Sequence, residues 1–334
     1  MIRAVRALAI GLAALLTLPA WAASTGEHSL RYLMGTWCDL VIFDPPPAPG
    51  AAEAAFREIA RLEDILSSWN SSSEVSRLNA SAGQGPRGVS EDLAAVAAES
   101  AAMCSTTGGA FDVTVGPLLR AWGFFSDAPS TPDPDVARAM ASRVGCDRLT
   151  VQRDSKSIAI ADGTELDFGS IGKGYAVDRA MAVLRAHGVT RAKVDFGSSS
   201  LGFLGHVEGG WPVVIVDPLE RDKPLVTFKV SEGSVSTSGQ QERYFERDGH
   251  HYGHIFDPRL GRPVESRLLS VTVITPHGST ANALSTGLFV LGAEEGKRVL
   301  SRMPGVSAVF VEQGTNGFVI STAGKLTGLT RLSD

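Results

Sequence analysis

The sequence has 334 residues, enough for one large domain or two ordinary ones. Hydrophobic residues make up 43% of the chain and charged residues 20%, as in a globular protein with a sizeable core. The formal net charge of −5 at pH 7 does not suggest a nucleic-acid partner, because such binding relies on an excess of basic residues.

The first residues have the pattern of a secretory signal peptide. Arg3 and Arg6 form a basic start, residues 7–18 form an apolar run that is short for a membrane span, and residues 20–22 give a small-x-small cleavage site. An anchor helix is the alternative, but the run is short and no cysteine follows it to carry a lipid. We therefore predict that residues 1–22 are cleaved and that the mature protein is exported, to the periplasm or beyond. Action of the mature protein near the membrane surface is an open alternative, but we predict no membrane anchor in the mature chain.

The three cysteines, Cys38, Cys104 and Cys146, allow two interpretations. In an oxidising compartment one pair could form a disulfide and leave one thiol over, and the spacing is not that of a metal site. Three buried thiols that pack as small apolar side chains are the favoured interpretation.

Taken in chain order, the first predicted element is a strand from His28 to Phe43. Residues 51–67 have apolar side chains at helical spacing and predict an amphipathic helix. A serine-rich polar loop around Trp69 follows. This aromatic side chain either folds back onto the core, which is the more common fate, or stacks on a planar ring.

The next helix is expected to be capped by Ser90 and to end at Gly108-Gly109. Residues 110–117 then form a run that is polar on alternate residues and contains Asp112. A partly buried strand and a contact with a nucleotide base or ribose are both compatible with this run. Residues 126–136 are rich in Pro, Asp and Ser and predict a surface connection.

The second half of the chain predicts mostly strands, and no internal repeat occurs. Strand patterns lie at 149–166, 193–196, 213–216, 225–230, 243–246, 251–256 and 269–275, with an Asp-Gly turn at 248–249 and two more strand runs near the C-terminus. A helix is expected from Ser279 to Gly292. Because strands and helices do not alternate regularly, we predict a single α+β domain over residues 23–334, with antiparallel-rich sheets and flanking helices.

The central feature is the run from Leu166 to Arg179, where an extended segment breaks at three glycines and becomes a helix that Gly188 caps. A glycine turn at a helix N-terminus points backbone N–H groups at an anion, and Lys173 adds a positive charge. The spacing fits neither the Walker phosphate loop nor the dinucleotide fingerprint. Taken alone, a tight structural turn with an exposed lysine explains the run slightly better than a phosphate site.

Two polar groups near the C-terminal end are candidates for chemistry. The first group consists of His250, His251 and His254. A polar face of a hairpin accounts for these histidines about as well as a catalytic role, in which a histidine takes a proton from a hydroxyl near neutral pH. A metal site of all three is disfavoured, since neighbouring residues point to opposite faces of a strand. Asn282 and Thr286 share one face of an almost uncharged helix, so they are expected to be buried, with hydrated Mg²⁺ as one candidate partner.

Seven segments of the chain, in the same order, resemble the motifs of the ApbE-like flavin transferases, the FAD:protein FMN transferases. The similarity covers nearly all of the mature chain, and seven motifs in order are far more specific than one. The segments are 34–36, 67–79, 109–117, 167–178, 237–243, 254–259 and 282–292.

The resemblance implies a β-rich α+β fold and an exported enzyme that binds FAD and Mg²⁺. Such enzymes move FMN from FAD to a Thr or Ser hydroxyl of an acceptor flavoprotein and release AMP, and some relatives hydrolyse FAD to FMN and AMP. The residues it implies are Met34, Trp69, Ala110, Phe111, Asp112, Asp167, Lys173 and Ile255 for FAD contacts, and the Ser170 carbonyl with the Asn282 and Thr286 side chains for the metal. His254 is the candidate base, with Asp257 as an alternative base or an orienting partner.

The chain departs from the family pattern at several positions. Asn282 stands where the family usually has Asp, and a neutral amide oxygen is a poorer Mg²⁺ ligand than a carboxylate. Gln240-Gln241 replaces a common Asp-Tyr, and Ser198-Ser199 stands where Gly is usual. These departures bear on metal affinity and turnover more than on FAD binding. Two alternatives to the transferase therefore stay open, an Mg²⁺-dependent FAD pyrophosphatase and a non-catalytic flavin-binding or assembly protein.

Overall fold

The structure is a computed structural model that describes residues 26–44, 48–126, 129–240 and 244–332. The predicted signal peptide at residues 1–22 lies outside these ranges. Within them, no helix combines the length and the apolar character that a membrane crossing requires.

The long helices lie where the spacing of apolar residues and the capping residues predicted them. Ser90 caps α3 as predicted, accepting the Leu93 N–H at 3.2 Å, and Gly188 follows α6 with a φ of 79°. α7 continues past its predicted end, with a non-helical break at Gly292. α2, α4 and α5 were not predicted, because six to eight residues are too few to show a clear helical period. The helices are α1 (Ala51–Leu66), α2 (Glu74–Asn79), α3 (Glu91–Thr106), α4 (Gly116–Ala121), α5 (Pro134–Ala141), α6 (Gly172–Ala186) and α7 (Gly278–Leu300).

The strands form one large antiparallel sheet and several small ones. The large sheet has eight strands in the order β1-β2-β6-β7-β10-β15-β16-β17, and smaller sheets are formed by β8, β9 and β18 and by β3, β4 and β5. Two-stranded pairs are formed by β11 with β12 and by β13 with β14. The strands are β1 (Glu27–Leu33), β2 (Thr36–Ile42), β3 (Arg87–Gly88), β4 (Leu149–Gln152), β5 (Ser157–Ile160), β6 (Ala192–Phe196), β7 (Ser200–Leu204), β8 (Trp211–Val216), β9 (Pro224–Val230), β10 (Gly233–Gly239), β11 (Tyr244–Arg247), β12 (His250–Gly253), β13 (Phe256–Asp257), β14 (Arg262–Pro263), β15 (Leu268–Thr275), β16 (Ser307–Gly314), β17 (Gly317–Ala323) and β18 (Thr327–Arg331).

The large sheet is covered on its two faces by different layers. Alternate residues of β16 show this, because Ala308 and Phe310 pack with α7 whereas Val309 and Val311 pack with the β8-β9-β18 sheet. α1 and α6 pack on the β2 and β6 end of the helix-covered face. The predicted mixed α+β architecture with antiparallel-rich sheets and flanking helices is confirmed.

The segment from His28 to Phe43 is a hairpin and not the single strand that the sequence predicted. β1 and β2 pair directly, and the turn between them consists of Met34 and Gly35, with φ of 51° and 76°. Positive φ at both central residues is the two-residue hairpin geometry that Asn-Gly or Asp-Gly usually marks. A methionine in that position gives no such signal, so the turn could not be recognised.

Residues 110–115 do not form a strand either. They make a buried turn in which the Asp112 carboxylate accepts the N–H and the hydroxyl of Thr114, at 2.8 and 2.7 Å. An aspartate that bonds to the backbone two residues on favours a turn over a strand.

The prediction of three buried thiols is wrong for two of them. Cys104, in the last turn of α3, and Cys146, just before β4, form a disulfide with Cα atoms 6.1 Å apart. The two cysteines are 42 residues apart in the sequence, and packing of α3 against β4 brings them together. The sequence pattern does not reveal this packing. Cys38 is a free buried thiol, and burial together with the nearby Asp195 and Asp39 raises its pKa to about 12.

α6 and α7 approach each other most closely at two glycines. A Cβ built on Gly174 would overlap the carbonyl of Gly278 and lie 2.8 Å from the Asn282 Cβ, and a Cβ on Gly278 would meet the Gly174 carbonyl. This contact brings the start of α7 against the central motif and positions Asn282 beside it.

Candidate active site

A pocket of about 570 Å³ lies where the β1–β2 turn, the loop after α1, the start of α6 and the start of α7 meet. This volume is within the range of ligand sites for small molecules. The predicted site residues that line it are Met34, Trp69, Ala110, Phe111, Asp112, Asp167, Ser170, Lys173, His254, Ile255, Asn282 and Thr286. Asp257 is the predicted site residue that does not.

Aromatic side chains form one end of the pocket. Trp69 is 56% exposed, so it does not fold back onto the core. Its ring meets Phe125 edge-on, with centroids 5.1 Å apart, and Phe124 lines the same region. Met34, at the hairpin tip, adds a flexible apolar side chain. This end can receive a planar aromatic ring by stacking.

Lys173 supplies positive charge at the pocket wall. It lies in the first turn of α6, which has no acidic residue there, so its ammonium group adds to the positive end of the helix dipole. Its Nζ donates to the Ser199 Oγ at 2.7 Å, and that hydroxyl also donates to the Phe196 carbonyl at 3.0 Å. The position suits a phosphate group.

The backbone of the glycine turn does less for an anion than the sequence suggested. The Gly172 N–H donates to the Phe168 carbonyl at 2.7 Å, and the Gly174 N–H donates to the Asn282 Oδ1 at 3.2 Å. These two donors therefore serve the fold. Attraction for an anion rests mainly on Lys173 and the helix dipole.

Asp167 is built into the loop that leads to α6. Its N–H donates to the Val113 carbonyl at 2.7 Å, and its Oδ1 accepts the Gly169 N–H at 3.0 Å. The Ser68 hydroxyl donates to its other carboxylate oxygen. The carboxylate thereby ties the loop after α1 to the central motif. These bonds also fix the position of the two carboxylate oxygens at the pocket wall.

Ser170, Asn282 and Thr286 offer only neutral oxygens at the pocket wall. The Asn282 side chain is buried, and its Oδ1 already accepts the Gly174 N–H. The Thr286 hydroxyl lies 3.2 Å from the Ser238 Oγ. Mg²⁺ binds oxygen ligands, and the Asn282 Oδ1 has a second lone pair that can bind the cation. The three oxygens are therefore suitable ligand atoms for Mg²⁺, but they bring no negative charge.

His254 and Asp257 are separated by the structure, although they are neighbours in the chain. His254 is half-buried and lines the pocket. Asp257 is buried away from it, and its carboxylate accepts the Arg259 N–H at 3.0 Å and two guanidinium bonds at 2.9 and 2.7 Å. With its oxygens bound in this way, Asp257 has no place as a base in the pocket and instead holds the turn after His254.

Asp112 faces the pocket from a buried position. Burial raises the pKa of its carboxyl above the usual value, against the lowering effect of the Thr114 hydrogen bonds, and nearby Asp147 raises it further. The carboxyl therefore keeps its proton, and can donate a hydrogen bond to a ligand, up to a higher pH than an exposed aspartate.

Several pocket residues were not identified from the sequence. They lie in α1, in loops and in β10, where no spacing distinguishes them, and Ser199 is one of the two serines that stand where the family pattern usually has glycine. Those residues are Glu63, Ser68, Phe124, Phe125, Ser199, Thr237 and Ser238. Ser68 and Trp69 are adjacent in one motif, which is the signal that could have identified Ser68.

The chain is similar to one family of known proteins. The model of the ApbE family matches residues 34–310. A Treponema pallidum (strain Nichols) protein named FAD:protein FMN transferase is 34% identical over 307 residues, which cover 85% of this chain and 84% of the relative. An Escherichia coli (strain K12) protein of the same name is 34% identical over 249 residues, 72% of this chain and 70% of the relative.

Solved structures show the same fold. The ApbE protein of Thermotoga maritima superposes with a TM-score of 0.81 at 28% identity, over 90% of this chain and 97% of that one. The flavin transferase ApbE from Vibrio cholerae gives a TM-score of 0.81 at 27% identity, over 89% and 97%.

Proposed function

Because the chain belongs to the ApbE family, we propose that it is an exported FAD:protein FMN transferase. It moves FMN from FAD to a Thr or Ser hydroxyl of an acceptor flavoprotein and releases AMP. Residues 1–22 direct export and are removed in the process, and the acceptor meets the enzyme in the same compartment.

One observation carries the proposal. A single pocket collects an aromatic end around Trp69, a lysine at the start of α6 and a histidine on a separate loop. A flavin ring, a pyrophosphate and an attacking hydroxyl need these three kinds of group, because the first is planar, the second anionic and the third carries a proton that must be removed.

The reaction is a phosphoryl-type displacement on FAD as the substrate. The acceptor hydroxyl oxygen attacks the phosphorus on the FMN side of the pyrophosphate, and a phosphoester bond forms. The bond from that phosphorus to the bridging oxygen breaks, and AMP leaves with this oxygen. His254 accepts the hydroxyl proton and passes it to solvent.

Charge on the pyrophosphate has to be neutralised in this step. The ammonium group of Lys173, fixed by its bond to Ser199, lies at the wall where the phosphates are proposed to sit. Bound Mg²⁺, held by the Ser170 carbonyl, Asn282 and Thr286, would supply further neutralisation.

The experiment that tests the proposal is incubation of the purified protein with FAD, Mg²⁺ and a panel of flavoprotein acceptors. The expected result is a fluorescent acceptor band on a denaturing gel. AMP release at the same rate without any acceptor would instead indicate the pyrophosphatase. FAD binding with neither product would indicate the non-catalytic binding protein, which the uncharged metal set favours.

Removing the stacking ring or the lysine should weaken FAD binding. We expect Trp69→Ala and Lys173→Ala each to raise the dissociation constant of FAD about tenfold or more, because stacking of a ring on an aromatic side chain is worth about 1–3 kcal/mol and a hydrogen bond to a charged group about 1.5–3 kcal/mol. Tryptophan fluorescence or calorimetry measures it. Trp37→Ala, at an equally exposed tryptophan outside the pocket, and Lys223→Ala are the matched controls. Parent-like affinity in both pocket variants would show that FAD binds elsewhere.

Restoring a carboxylate at Asn282 should strengthen metal binding. An aspartate can still accept the Gly174 N–H, so the fold is kept, and the new charge should tighten Mg²⁺ about tenfold or more by direct attraction. Calorimetric titration of Mg²⁺ into the FAD-bound protein measures this independently of activity. Asn316→Asp, at an exposed turn, makes the same chemical change away from the pocket. Equal Mg²⁺ affinity in parent and Asn282→Asp would exclude Asn282 as a ligand.

A further inference from the structure

The β1–β2 hairpin carries an exposed apolar cluster that the fold does not use. Leu30, Tyr32 and Trp37 are 51, 62 and 56% exposed and form what we name the hairpin patch. Tyr32 and Trp37 are directly opposite in the ladder, with ring centroids 5.6 Å apart, and Leu30 shares their face. Large apolar side chains grouped in this way, instead of scattered singly, indicate an interaction surface.

The patch lies on the face of the hairpin that no other layer covers. The opposite face is buried, since Cys38 and Leu40 belong to the core and the Arg31 guanidinium lies over the Phe56 ring of α1. Further along the sheet, the same outer face is covered by the β8-β9-β18 layer. Within the described residues, the large sheet therefore leaves its outer face open at the β1 end.

The patch is continuous with the mouth of the pocket. Trp37 directly follows Thr36, which lines the pocket together with Met34 and Gly35. The Tyr32 hydroxyl donates to the Gly35 carbonyl at 3.0 Å, so one member of the patch also supports the pocket rim. A chain lying along the hairpin reaches the pocket within a few residues.

β1 also offers its backbone. It is the first strand of the sheet, and among the described residues it pairs only with β2. An open edge provides N–H and C=O groups for a further strand, with side-chain specificity from the neighbouring face.

We propose that the hairpin patch and the β1 edge dock the acceptor protein, through an extended segment that carries apolar side chains beside its reactive hydroxyl. This inference rests on the proposed function, since the reaction needs a protein hydroxyl at the pocket mouth. The nearby carboxylates already have basic neighbours: Asp39 lies 3.7 Å from the His28 ring, and Asp195 pairs with Lys193 at 2.8 Å. The surface therefore selects an apolar segment and not a charged one.

The test is the kinetics of a Leu30→Ala/Trp37→Ala double variant. The probe is the purified acceptor flavoprotein that the parent enzyme labels most strongly. Neither side chain lines the pocket, so FAD affinity should stay at the parent value. The KM for the acceptor should rise about thirtyfold, as for loss of an aromatic hot spot, with kcat at saturating acceptor within about twofold of the parent.

The control variant is Val214→Ala on β8, where the side chain is 51% exposed and does not line the pocket. It should leave the KM unchanged. A second measurement is amide hydrogen exchange, which should slow across β1 when acceptor is added to the FAD-bound parent. β17, the opposite edge of the same sheet, should not change.

An unchanged KM for the acceptor in the double variant would overturn the docking surface while leaving the transferase intact. So would a parent dimer that the double variant converts to a monomer, because the patch would then be an interface between copies. Failure of the parent to label any acceptor would contradict the proposed function itself, and the two failures are therefore distinct.

Discussion

His254→Ala is expected to slow FMN transfer by about a hundredfold to ten-thousandfold, which is the usual contribution of general-base catalysis. His254 is the histidine that lines the pocket, whereas the other candidate, Asp257, has its carboxylate bonded to Arg259. Without the imidazole, the attacking hydroxyl has no positioned group to take its proton. The transfer rate at saturating FAD and acceptor measures the loss.

Two further measurements separate this role from a structural one. The FAD dissociation constant should stay close to the parent value, since the imidazole is proposed to act on the acceptor hydroxyl. His251→Ala is the matched control, because His251 lies three residues earlier in β12, stacks on Tyr244 and is outside the pocket lining. A loss of less than severalfold in His254→Ala would show that another group takes the proton.

Gly174→Ala is expected to destabilise the fold by about 3 kcal/mol or more, at the upper end of the cost of forcing a methyl group into a packed site. The new Cβ would overlap the Gly278 carbonyl, a backbone atom that cannot rotate away, and would crowd Asn282. α6 and α7 would have to separate, and the Asn282 bond to the Gly174 N–H would be lost with them. Urea unfolding of the two proteins measures the difference.

Gly172→Ala is the control on the same helix. Its new Cβ would lie 3.6 Å from the Met34 Cε and 3.7 Å from the Leu66 Cδ1, which is ordinary contact. Alanine favours the helix over glycine by up to about 1 kcal/mol, so the stability should change little or rise. Equal losses in both variants would contradict the assignment of Gly174 to the contact between the helices.

Local patterns predicted the parts of the fold that are long or marked by caps. α1 and α3 follow from apolar spacing and from Ser90, and the Asp248-Gly249 turn lies between β11 and β12 as the dipeptide indicates. α5 has only eight residues, too few to show a clear helical period, and its first turn lies in the segment that was predicted as a surface connection. The Met34-Gly35 turn was missed because its left-handed geometry is imposed by strand pairing and not by residue type.

The site was predictable as a set of segments but not as an arrangement. Motif order identified Trp69, Lys173 and His254, which lie far apart in the chain and line one pocket. Contacts between residues far apart in the sequence determine how these side chains are positioned in the pocket. Ser199 reaches Lys173 across 26 residues, and Asn282 reaches Gly174 across 108. The glycine of the central motif thus serves helix packing, which spacing alone cannot distinguish from a phosphate turn.

The most direct test of the central claim is a paired measurement on one reaction mixture of enzyme, FAD, Mg²⁺ and acceptor. Intact mass spectrometry gives the fraction of acceptor that gains the mass of FMN less water, and chromatography gives the AMP released. The account predicts equal amounts of bound FMN and AMP, with the added group on a Thr or Ser. AMP together with free FMN and an unmodified acceptor would contradict it.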